Sequence, residues 1–389
     1  MRYAYPPYTE VAPPEDSYHK RLPKVKGIMK EQTLIVGLYE RSYPIHIGSG
    51  VLNQIGPTLA ADPVGKRYGI ISDDNVAELY GQQIIASLTD AGLACELIVF
   101  PAGEEQKHTL TVTDLASELA GRGFDRGDAL VALGGGVVGD ITGFLASIYM
   151  RGIPFVQVPT SLLAQVDSSV GGKTGVDIPE GKNLIGTFYQ PRAVYIDIDV
   201  LKTLPPEEFR GGLAEVIKYG VIIDKDFFAF LEENQKAIRD MEPETLVSMI
   251  YTCCQIKANV VEQDEREGGL RRILNFGHTI GHAVEAASGF QIIHGLAVSI
   301  GMHAVTQLAI QGGYTTDSVL QTLDNLLGAY NLPLEIPAEL DRKKIRAYLQ
   351  TDKKTVGGHI FFVLPEEIGK VIITDQVRPE DIDLVLGNS

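Results

Sequence analysis

The sequence predicts an amino-terminal α/β domain built on a parallel sheet, followed by a mainly α-helical second domain. From about Thr33 to Val200, short apolar runs alternate with stretches of helical periodicity, as they do in parallel α/β folds. From Pro205 to about Tyr330 the pattern is helical, and the next β-branched run is HIFFVLP at residues 359–365. We therefore expect the boundary between the two domains near Leu204.

The elements of the first domain can be assigned in order along the chain. RYGIIS, CELIVF, ALVAL, FVQVP and AVYID have the length and apolar content of buried strands, and NVAELYGQQIIASLTDAG and TLTVTDLASELAGRG have the pattern of helices. Residues 1–31 carry five prolines with mixed charge and little periodicity, which indicates an extended leader. The predicted organisation is a leader over 1–31, an α/β domain over 32–204 and a helical domain over 205–389.

Composition restricts the class of protein and its partners. The chain has 389 residues, is 44% hydrophobic and carries a formal charge of −16, and this negative field disfavours nucleic acid and anionic membranes. The three cysteines, Cys95, Cys253 and Cys254, give no readable disulfide framework. No apolar run reaches the length of a membrane span, and the first residues lack the apolar region of a signal peptide. We therefore expect a cytoplasmic protein without nucleic-acid or membrane partners.

A glycine-rich turn follows the strand ALVAL. Gly134, Gly136 and Gly139 have the G-x-G-x-x-G spacing at the start of a predicted helix, where free backbone N–H groups can bind a dinucleotide pyrophosphate. The usual ribose-binding acid about 20 residues later is replaced by Asp140, which directly follows the turn. Asp73, after RYGIIS, is the better ribose candidate. The alternatives are a tight turn without a ligand and, for Asp73, an ordinary helix N-cap.

A cationic polar segment, QVPTSLLAQVDSSVGGKTGVDIPEGKNLIG, lies between two apolar strands. It carries Asp167, Lys173, Lys182 and Asn183, and Arg151 lies just upstream. Lysine and arginine bind phosphate and carboxylate, so we interpret the segment as a loop that binds an anionic substrate. The alternative is a flexible loop with solvated surface lysines.

Three of the eight histidines lie within seventeen residues. His278 and His282 share one helix face, and His294 can return to the same point from the start of the next helix. Thr279 occupies the position that a glutamate would take in a zincin motif, so that class is excluded. Glu215, in the apolar segment GGLAEVIKYG, would be costly to bury without a partner. The set predicts a metal site, and the alternative is hydrogen-bonded histidines without a metal.

Taken together, these segments resemble the 3-dehydroquinate synthase family. The likeness runs from about Gln32 to the carboxy terminus and includes GGLAEVIKYG, DEREGGLRRILNFGHTIGHA and HGLAV. It implies a homodimeric lyase of the shikimate pathway of aromatic amino acid biosynthesis. By transient oxidation with NAD, β-elimination, re-reduction, ring opening and aldol closure, the enzyme would convert 3-deoxy-D-arabino-heptulosonate 7-phosphate into 3-dehydroquinate and phosphate. The metal would be zinc, with cobalt as a substitute.

The resemblance also implies roles for individual residues. The metal ligands would be Glu215, His278 and His294. The catalytic residues would be His282, Glu267, Lys173 and Asp167, with Glu267 as a proton acceptor. The nucleotide contacts would be Asp73, Asn75, Glu104, Lys107, Gly135, Gly136, Asp140, Thr160, Ser161, Lys182 and Thr203. The substrate contacts would be Asp167, Lys173, Asn183, Lys218, Lys257, Arg271, Asn275, His282, one of Lys353 and Lys354, and Arg151 from the partner subunit.

Three alternatives to this function differ in chemistry. Another sugar phosphate cyclase would act on a different sugar phosphate, and a metal-dependent polyol or glycerol phosphate dehydrogenase would release free NADH. DEREGGLRRILNFGH argues against the dehydrogenase. A non-catalytic binding protein on a decayed enzyme fold would have no need of the full set of ionisable side chains.

Overall fold

The computed structural model describes residues 31–179, 181–351, 355–356 and 359–387. Residues 1–30 of the predicted leader lie outside this part of the chain. Glu31 begins the first strand, one residue before the predicted start of the α/β domain.

The first domain contains a seven-stranded sheet and a separate hairpin. The nine strands are β1 (Glu31–Val36), β2 (Tyr43–Gly48), β3 (Arg67–Asp73), β4 (Ala94–Phe100), β5 (Ala129–Gly134), β6 (Phe155–Pro159), β7 (Lys173–Ile178), β8 (Gly181–Phe188) and β9 (Val194–Asp197). The sheet order is β1-β2-β9-β6-β5-β3-β4, in which only the β1–β2 pair is antiparallel. The chain passes from β3 to the edge strand β4 and returns to β5 on the other side of β3. This topological switch point is where open α/β sheets bind ligands.

Helices flank the sheet and dominate the second domain. Those of the first domain are α1 (Ile55–Ala61), α2 (Asp74–Val76), α3 (Gln82–Asp90), α4 (Thr109–Gly121) and α5 (Gly136–Ile148). The second domain contains α6 (Pro206–Ile222), α7 (Lys225–Glu233), α8 (Gln235–Arg239), α9 (Pro243–Gln263), α10 (His278–Ala287), α11 (His294–Gln311), α12 (Asp317–Ala329), α13 (Arg342–Thr351) and α14 (Pro379–Val385). Two short hairpins, β10 (Thr355–Val356) with β11 (His359–Ile360) and β12 (Phe362–Glu367) with β13 (Lys370–Thr374), follow α13. The predicted fold class is confirmed.

The prediction of a loop for the cationic segment was wrong over β7 and β8, which pair as an antiparallel hairpin. Thr174 and Val176 are buried on β7, which packs against α5. Glycines and charged residues interrupt the apolar run there, so the sequence has too few apolar positions to show the strand period.

Helix α6 runs through the core of the second domain. Pro206 occupies its first turn together with Glu207 and Glu208, a composition that suits the unpaired N–H groups and positive end of a helix. Leu213, Ala214, Val216 and Ile217 belong to an apolar cluster that also includes residues of β1, β2, α9, α10 and α11. The buried charged residues of α6, Glu215 and Lys218, are therefore surrounded by closely packed apolar side chains. Within the described residues, no helix is both long enough and apolar enough to cross a membrane.

Candidate active site

Three helices of the second domain bring one acid and three histidines to a single point, which we call the acid–histidine cluster. Glu215 lies within α6, while His278 and His294 are the first residues of α10 and α11. The Oε1 atom of Glu215 is 3.3 Å from Nε2 of His278 and 3.4 Å from Nε2 of His294. His282, one turn after His278, completes the cluster, because ligand atoms of all three histidines lie within 4.8 Å of one another.

Glycines allow these helices to approach closely enough to form the cluster. A Cβ atom added to Gly295 would lie 2.0 Å from the carbonyl oxygen of Gly211, where α11 crosses α6. A Cβ atom added to Gly301 would lie 1.9 Å from the carbonyl oxygen of Gly277, directly before α10. A side chain at either position would push the helices apart, so the absence of a Cβ atom sets the separation of the ligand-bearing helices.

The acid–histidine cluster fits a divalent cation. Glu215 is only 1% exposed, and among the described residues neither of its carboxylate oxygens accepts a hydrogen bond of good geometry. Nδ1 of His278 lies 3.0 Å from the carbonyl oxygen of Phe276, and Nδ1 of His294 lies 3.2 Å from Oε2 of Glu285. Both partners are acceptors, so each Nδ1 carries a proton, and each Nε2, beside Glu215, is the ring nitrogen that can bind a metal. Carboxylate oxygen and imidazole nitrogen are ligands of catalytic zinc.

Charge within the cluster is balanced by its neighbours. Burial favours a raised pKa for Glu215. The ammonium of Lys218, which contacts Oε2, and the imidazole of His278 together outweigh burial, so the pKa of Glu215 lies well below its ordinary value. Burial lowers the pKa of His278. For His294, burial is outweighed by contact with the carboxylates of Glu215 and Glu285, which raise the pKa to about 9. Without a cation the cluster therefore retains a proton on His294, which a bound divalent metal would displace.

Asp167 lies at the centre of a second polar group next to the cluster, in which the side chains of Lys218 and Lys257 are buried and that of Asp167 is 25% exposed. Its Oδ1 atom is 2.8 Å from Nζ of Lys257 and 3.8 Å from Nζ of Lys218, and it accepts a hydrogen bond of 2.8 Å from the Tyr219 hydroxyl. Burial favours a raised pKa for Asp167, but the two lysines outweigh it and lower the pKa. Asp167 is therefore ionised over the physiological pH range.

A third group surrounds Glu267, whose backbone has a left-handed φ of 60°. The ammonium of Lys173 contacts one oxygen of Glu267, and Nδ2 of Asn275 donates to the other at 3.0 Å. Burial favours a raised pKa for Glu267, but Lys173 outweighs this effect and lowers the pKa, so the carboxylate is ionised at neutral pH. Arg271 is buried beside this group and donates to the carbonyl oxygens of Gly171 and Glu265 at 3.1 and 2.6 Å.

The switch point of the sheet carries the predicted nucleotide residues, and we call it the nucleotide edge. β5 ends at Gly134, Gly135 caps α5, and Gly136 is the first residue of that helix. The first N–H groups of α5 are therefore available to a phosphate. Asp73, at the end of β3, accepts a 2.9 Å hydrogen bond from the backbone N–H of Val76, which is the N-cap alternative considered above.

A buried ion pair lies behind the glycine turn. Nζ of Lys107 is 2.6 Å from Oδ2 of Asp140, and both side chains are largely shielded from solvent. Burial raises the pKa of Asp140, because its effect exceeds the opposing effect of Lys107. For Lys107 the balance is reversed: the surrounding carboxylates outweigh burial and raise the pKa of the ammonium. The pair fixes the loop before α4 against α5.

Lys182, at the start of β8, connects the nucleotide edge to the acid–histidine cluster. Its Nζ atom is 3.0 Å from Oε1 of Glu104 and 2.8 Å from Oε1 of Glu285. Glu285 contacts His294, so one chain of charged contacts runs between the two predicted cofactor sites. Asn183 follows with a left-handed φ of 53°, and its backbone N–H donates to Asp177.

The remaining predicted nucleotide residues also lie around this edge. Thr160 follows β6, and its backbone N–H donates to the carbonyl oxygen of Gly134 at 3.0 Å. The Ser161 hydroxyl accepts a hydrogen bond from the N–H of Ala164 at 3.2 Å. Asn75 lies in α2, directly after β3. The Thr203 hydroxyl lies 2.5 Å from that of Tyr80.

Two predictions concern residues that belong neither to the acid–histidine cluster nor to the nucleotide edge. Arg151 is exposed at the end of the turn that follows α5, with a left-handed φ of 68°. Lys353 and Lys354 lie outside the described residues.

Two buried polar residues of the site, Glu285 and Tyr219, are not among those predicted from the sequence. Glu285 lies seven residues after His278 and three after His282, so helical spacing alone places it on the same face of α10. Tyr219 lies four residues after Glu215 on α6 in the same way. The signal was present in both cases, because polar side chains at these spacings share a face with predicted ligands.

A parallel sheet with a glycine-rich switch point and a helical domain with a buried acid–histidine cluster define a class of two-domain enzymes. Among solved structures, 2-deoxy-scyllo-inosose synthase complexed with carbaglucose-6-phosphate, NAD⁺ and Co²⁺ has a TM-score of 0.86 and 29% identity, covering 92% of this chain and 100% of that chain. The 2-epi-5-epi-valiolone synthase from Streptomyces hygroscopicus, with NAD⁺ and Zn²⁺ bound, has a TM-score of 0.82 and 30% identity, covering 89% and 96%. Butanol dehydrogenase A from Thermotoga maritima, at 16% identity and a TM-score of 0.66, covers 88% and 96% and shares the fold.

Family models identify the chain within this class. The model of the 3-dehydroquinate synthase N-terminal region matches residues 97–211, and that of the C-terminal region matches residues 212–355. The 3-dehydroquinate synthase of Thermodesulfovibrio yellowstonii is 49% identical over 91% of this chain and 99% of its own length. That of Desulforamulus reducens is 47% identical with the same coverage. The chain belongs to the 3-dehydroquinate synthase family.

Proposed function

We propose that this chain converts 3-deoxy-D-arabino-heptulosonate 7-phosphate into 3-dehydroquinate and phosphate, using NAD at the nucleotide edge and zinc in the acid–histidine cluster. The observation that carries the proposal is the environment of Glu215, a buried carboxylate without a well-placed hydrogen-bond donor that faces Nε2 of His278 and His294. Membership of the family supports the overall reaction.

The metal ligands in this proposal are Glu215, His278 and His294, as predicted from the resemblance. Oε1 of Glu215 lies 3.3 Å from Nε2 of His278 and 3.4 Å from Nε2 of His294, so the three atoms are close enough to bind one cation. Lys218 contacts the other oxygen of Glu215, so Oε1 is the oxygen that would hold the metal. His282 is left to face the substrate, and zinc binding by a His282 variant is the direct test of that assignment.

The cofactors are inferred from the site and from the solved relatives. NAD⁺ with Co²⁺ is bound in one relative and NAD⁺ with Zn²⁺ in another. When bound, NAD would accept a hydride and return it, and zinc would act as a Lewis acid on substrate oxygen atoms. The N–H groups at the start of α5 would bind the pyrophosphate, with Asp73 and Asn75 at the adjoining end of β3.

The chain's own side chains account for the anionic substrate. Lys173, Lys257 and Arg271 supply positive charge within one region, and Asn275 and Asn183 add neutral hydrogen-bonding groups. Each of these charged groups is now in contact with protein acceptors that a phosphate or carboxylate could replace. The cationic groups would stabilise phosphate as it leaves after oxidation has made the neighbouring C–H acidic.

Proton transfer is assigned to Glu267 and His282. Lys173 and Asn275 hold Glu267 ionised and oriented, which is the state of a proton acceptor. His282 belongs to the acid–histidine cluster, and an imidazole is suited to accept and donate protons near neutral pH. Asp167, ionised beside Lys257, would orient a substrate hydroxyl group.

We also propose a homodimer in which Arg151 reaches the partner's site. Large apolar side chains with 37–48% exposure lie around Arg151 and on β8, namely Ile148, Met150, Leu184, Ile185 and Phe188. A second copy of the chain would cover these side chains. The three free thiols are consistent with a reducing, cytoplasmic location, which we propose as well.

The test of the function is phosphate release from the heptulosonate phosphate by metal-loaded protein, with and without added NAD. We expect release only with bound NAD and zinc. Phosphate release from a different sugar phosphate, and none from the heptulosonate phosphate, would assign the chain to another cyclase reaction.

A further inference from the structure

Glu285 is a buried carboxylate for which the proposed reaction has no direct use. It lies on α10, is 5% exposed, and has a defined partner for each oxygen. Oε2 lies 3.2 Å from Nδ1 of His294, and Oε1 lies 2.8 Å from Nζ of Lys182. Glu285 therefore contacts the side of the His294 ring that faces away from Glu215.

We propose that Glu285 is a positioning residue that sets the metal affinity of the acid–histidine cluster by fixing the tautomer and orientation of His294. The inference rests on the proposed metal site. A carboxylate only accepts hydrogen bonds, so its partner Nδ1 keeps its proton, and Nε2, beside Glu215, is the nitrogen that remains to bind the metal. The negative charge also makes the imidazole a stronger ligand, and such outer partners change metal affinity by about 10–100-fold.

Lys182 makes this arrangement rigid. By holding Oε1 of Glu285, it prevents rotation of the carboxylate away from His294, and it is itself held by Glu104 on the side of the nucleotide edge. Its ammonium also lies 4.7 Å from the centre of the Phe290 ring. The position of the His294 ring is thus determined by residues from both domains.

The same helix offers a matched control. His303, on α11, has its Nδ1 atom 2.8 Å from Oδ1 of Asp324. It lies nine residues after His294, which along a helix is about 14 Å. Asp324→Asn therefore removes the charge from a carboxylate–histidine pair of the same kind without touching the acid–histidine cluster.

The experiment compares zinc affinity in the full chain, freed of metal, by competition with a chromophoric chelator. We expect Glu285→Gln to bind Zn²⁺ at least about tenfold more weakly than the wild type. Glu285→Ala should lose more, because glutamine keeps a carbonyl oxygen that can accept from Nδ1. Asp324→Asn should bind zinc like the wild type. Equal affinity of the wild type and Glu285→Gln, or an equal loss in Asp324→Asn, would overturn the positioning role.

A measurement on the wild type covers the case in which the Glu285 variants do not fold. In ¹⁵N-histidine NMR spectra, zinc should shift the Nε2 signal of His294 while Nδ1 keeps its proton, with the signal assigned by its absence in His294→Gln. Coordination through Nδ1 would overturn the inference. If the wild type takes up no stoichiometric zinc, the proposed metal site itself fails, which differs from a site that binds zinc independently of Glu285.

Discussion

The close approach of α6 and α11 gives the most direct structural prediction. In Gly295→Ala, the new Cβ atom would start 2.0 Å from the carbonyl oxygen of Gly211, whereas Cβ atoms essentially never approach a neighbour within 3.0 Å. The helices must therefore separate by at least about 1 Å, the difference between these two distances. His294 precedes Gly295 directly, and Glu215 lies one turn after Gly211, so the movement is transmitted to two proposed zinc ligands.

The expected magnitude follows from this displacement. A shift of about 1 Å in a catalytic constellation costs about 100-fold in rate, and overpacking a buried helix contact costs about 1–3 kcal/mol of stability. We expect Gly295→Ala to fold with a lower melting temperature, to bind zinc more weakly, and to release phosphate about 100-fold more slowly.

Gly328→Ala is the matched control, because Gly328 lies in α12 and an added Cβ would meet nothing within 4 Å. It should keep wild-type zinc affinity and activity, and it should gain up to about 1 kcal/mol of helix stability. Chelator competition, thermal unfolding and phosphate release measure the three quantities. Wild-type zinc affinity and rate in Gly295→Ala would refute the claim that this helix contact sets the ligand geometry.

Three further predictions test separate parts of the site. His278→Ala should lose zinc and activity whereas His282→Ala should keep zinc and lose activity, as measured by metal analysis and phosphate release; zinc loss from both would make His282 a ligand. Mixing inactive Arg151→Ala with inactive His278→Ala should restore activity in hybrid dimers, and demonstrated subunit exchange without any activity would place Arg151 in its own subunit's site. Lys173→Met removes the charge that lowers the pKa of Glu267, so burial should raise that pKa and the acid limb of the pH–rate profile should move to higher pH. An unchanged acid limb would mean that Glu267 is not the titrating base.

The parts of the site that follow one another in sequence were predictable. The strand ALVAL and its glycine turn do form β5 and the start of α5, and His278 and His294 do begin two successive helices. These features depend on local periodicity and on backbone conformation, which a single sequence encodes directly. Glu215 was found because a charged residue stands out within an apolar helix.

Contacts between distant segments were not predictable in the same way. The Lys182–Glu285 pair joins residues 103 positions apart, and the contact between Gly211 and Gly295 depends on helix packing that no local pattern specifies. The hairpin β7–β8 was interpreted as a loop because its burial comes from packing on α5 and not from an apolar run. The left-handed backbone conformation of Arg151, Asn183 and Glu267 could not be predicted from the sequence either, although strain of this kind concentrates at functional sites.

The central claim is that oxidation at this site serves an elimination and is reversed within one turnover. The most direct measurement follows phosphate and NADH together while metal-loaded protein consumes the heptulosonate phosphate in the presence of NAD⁺. The proposed function predicts one phosphate released per substrate consumed, with almost no NADH in solution. One NADH formed per substrate, with no phosphate released, would contradict it and would assign the chain to dehydrogenase chemistry.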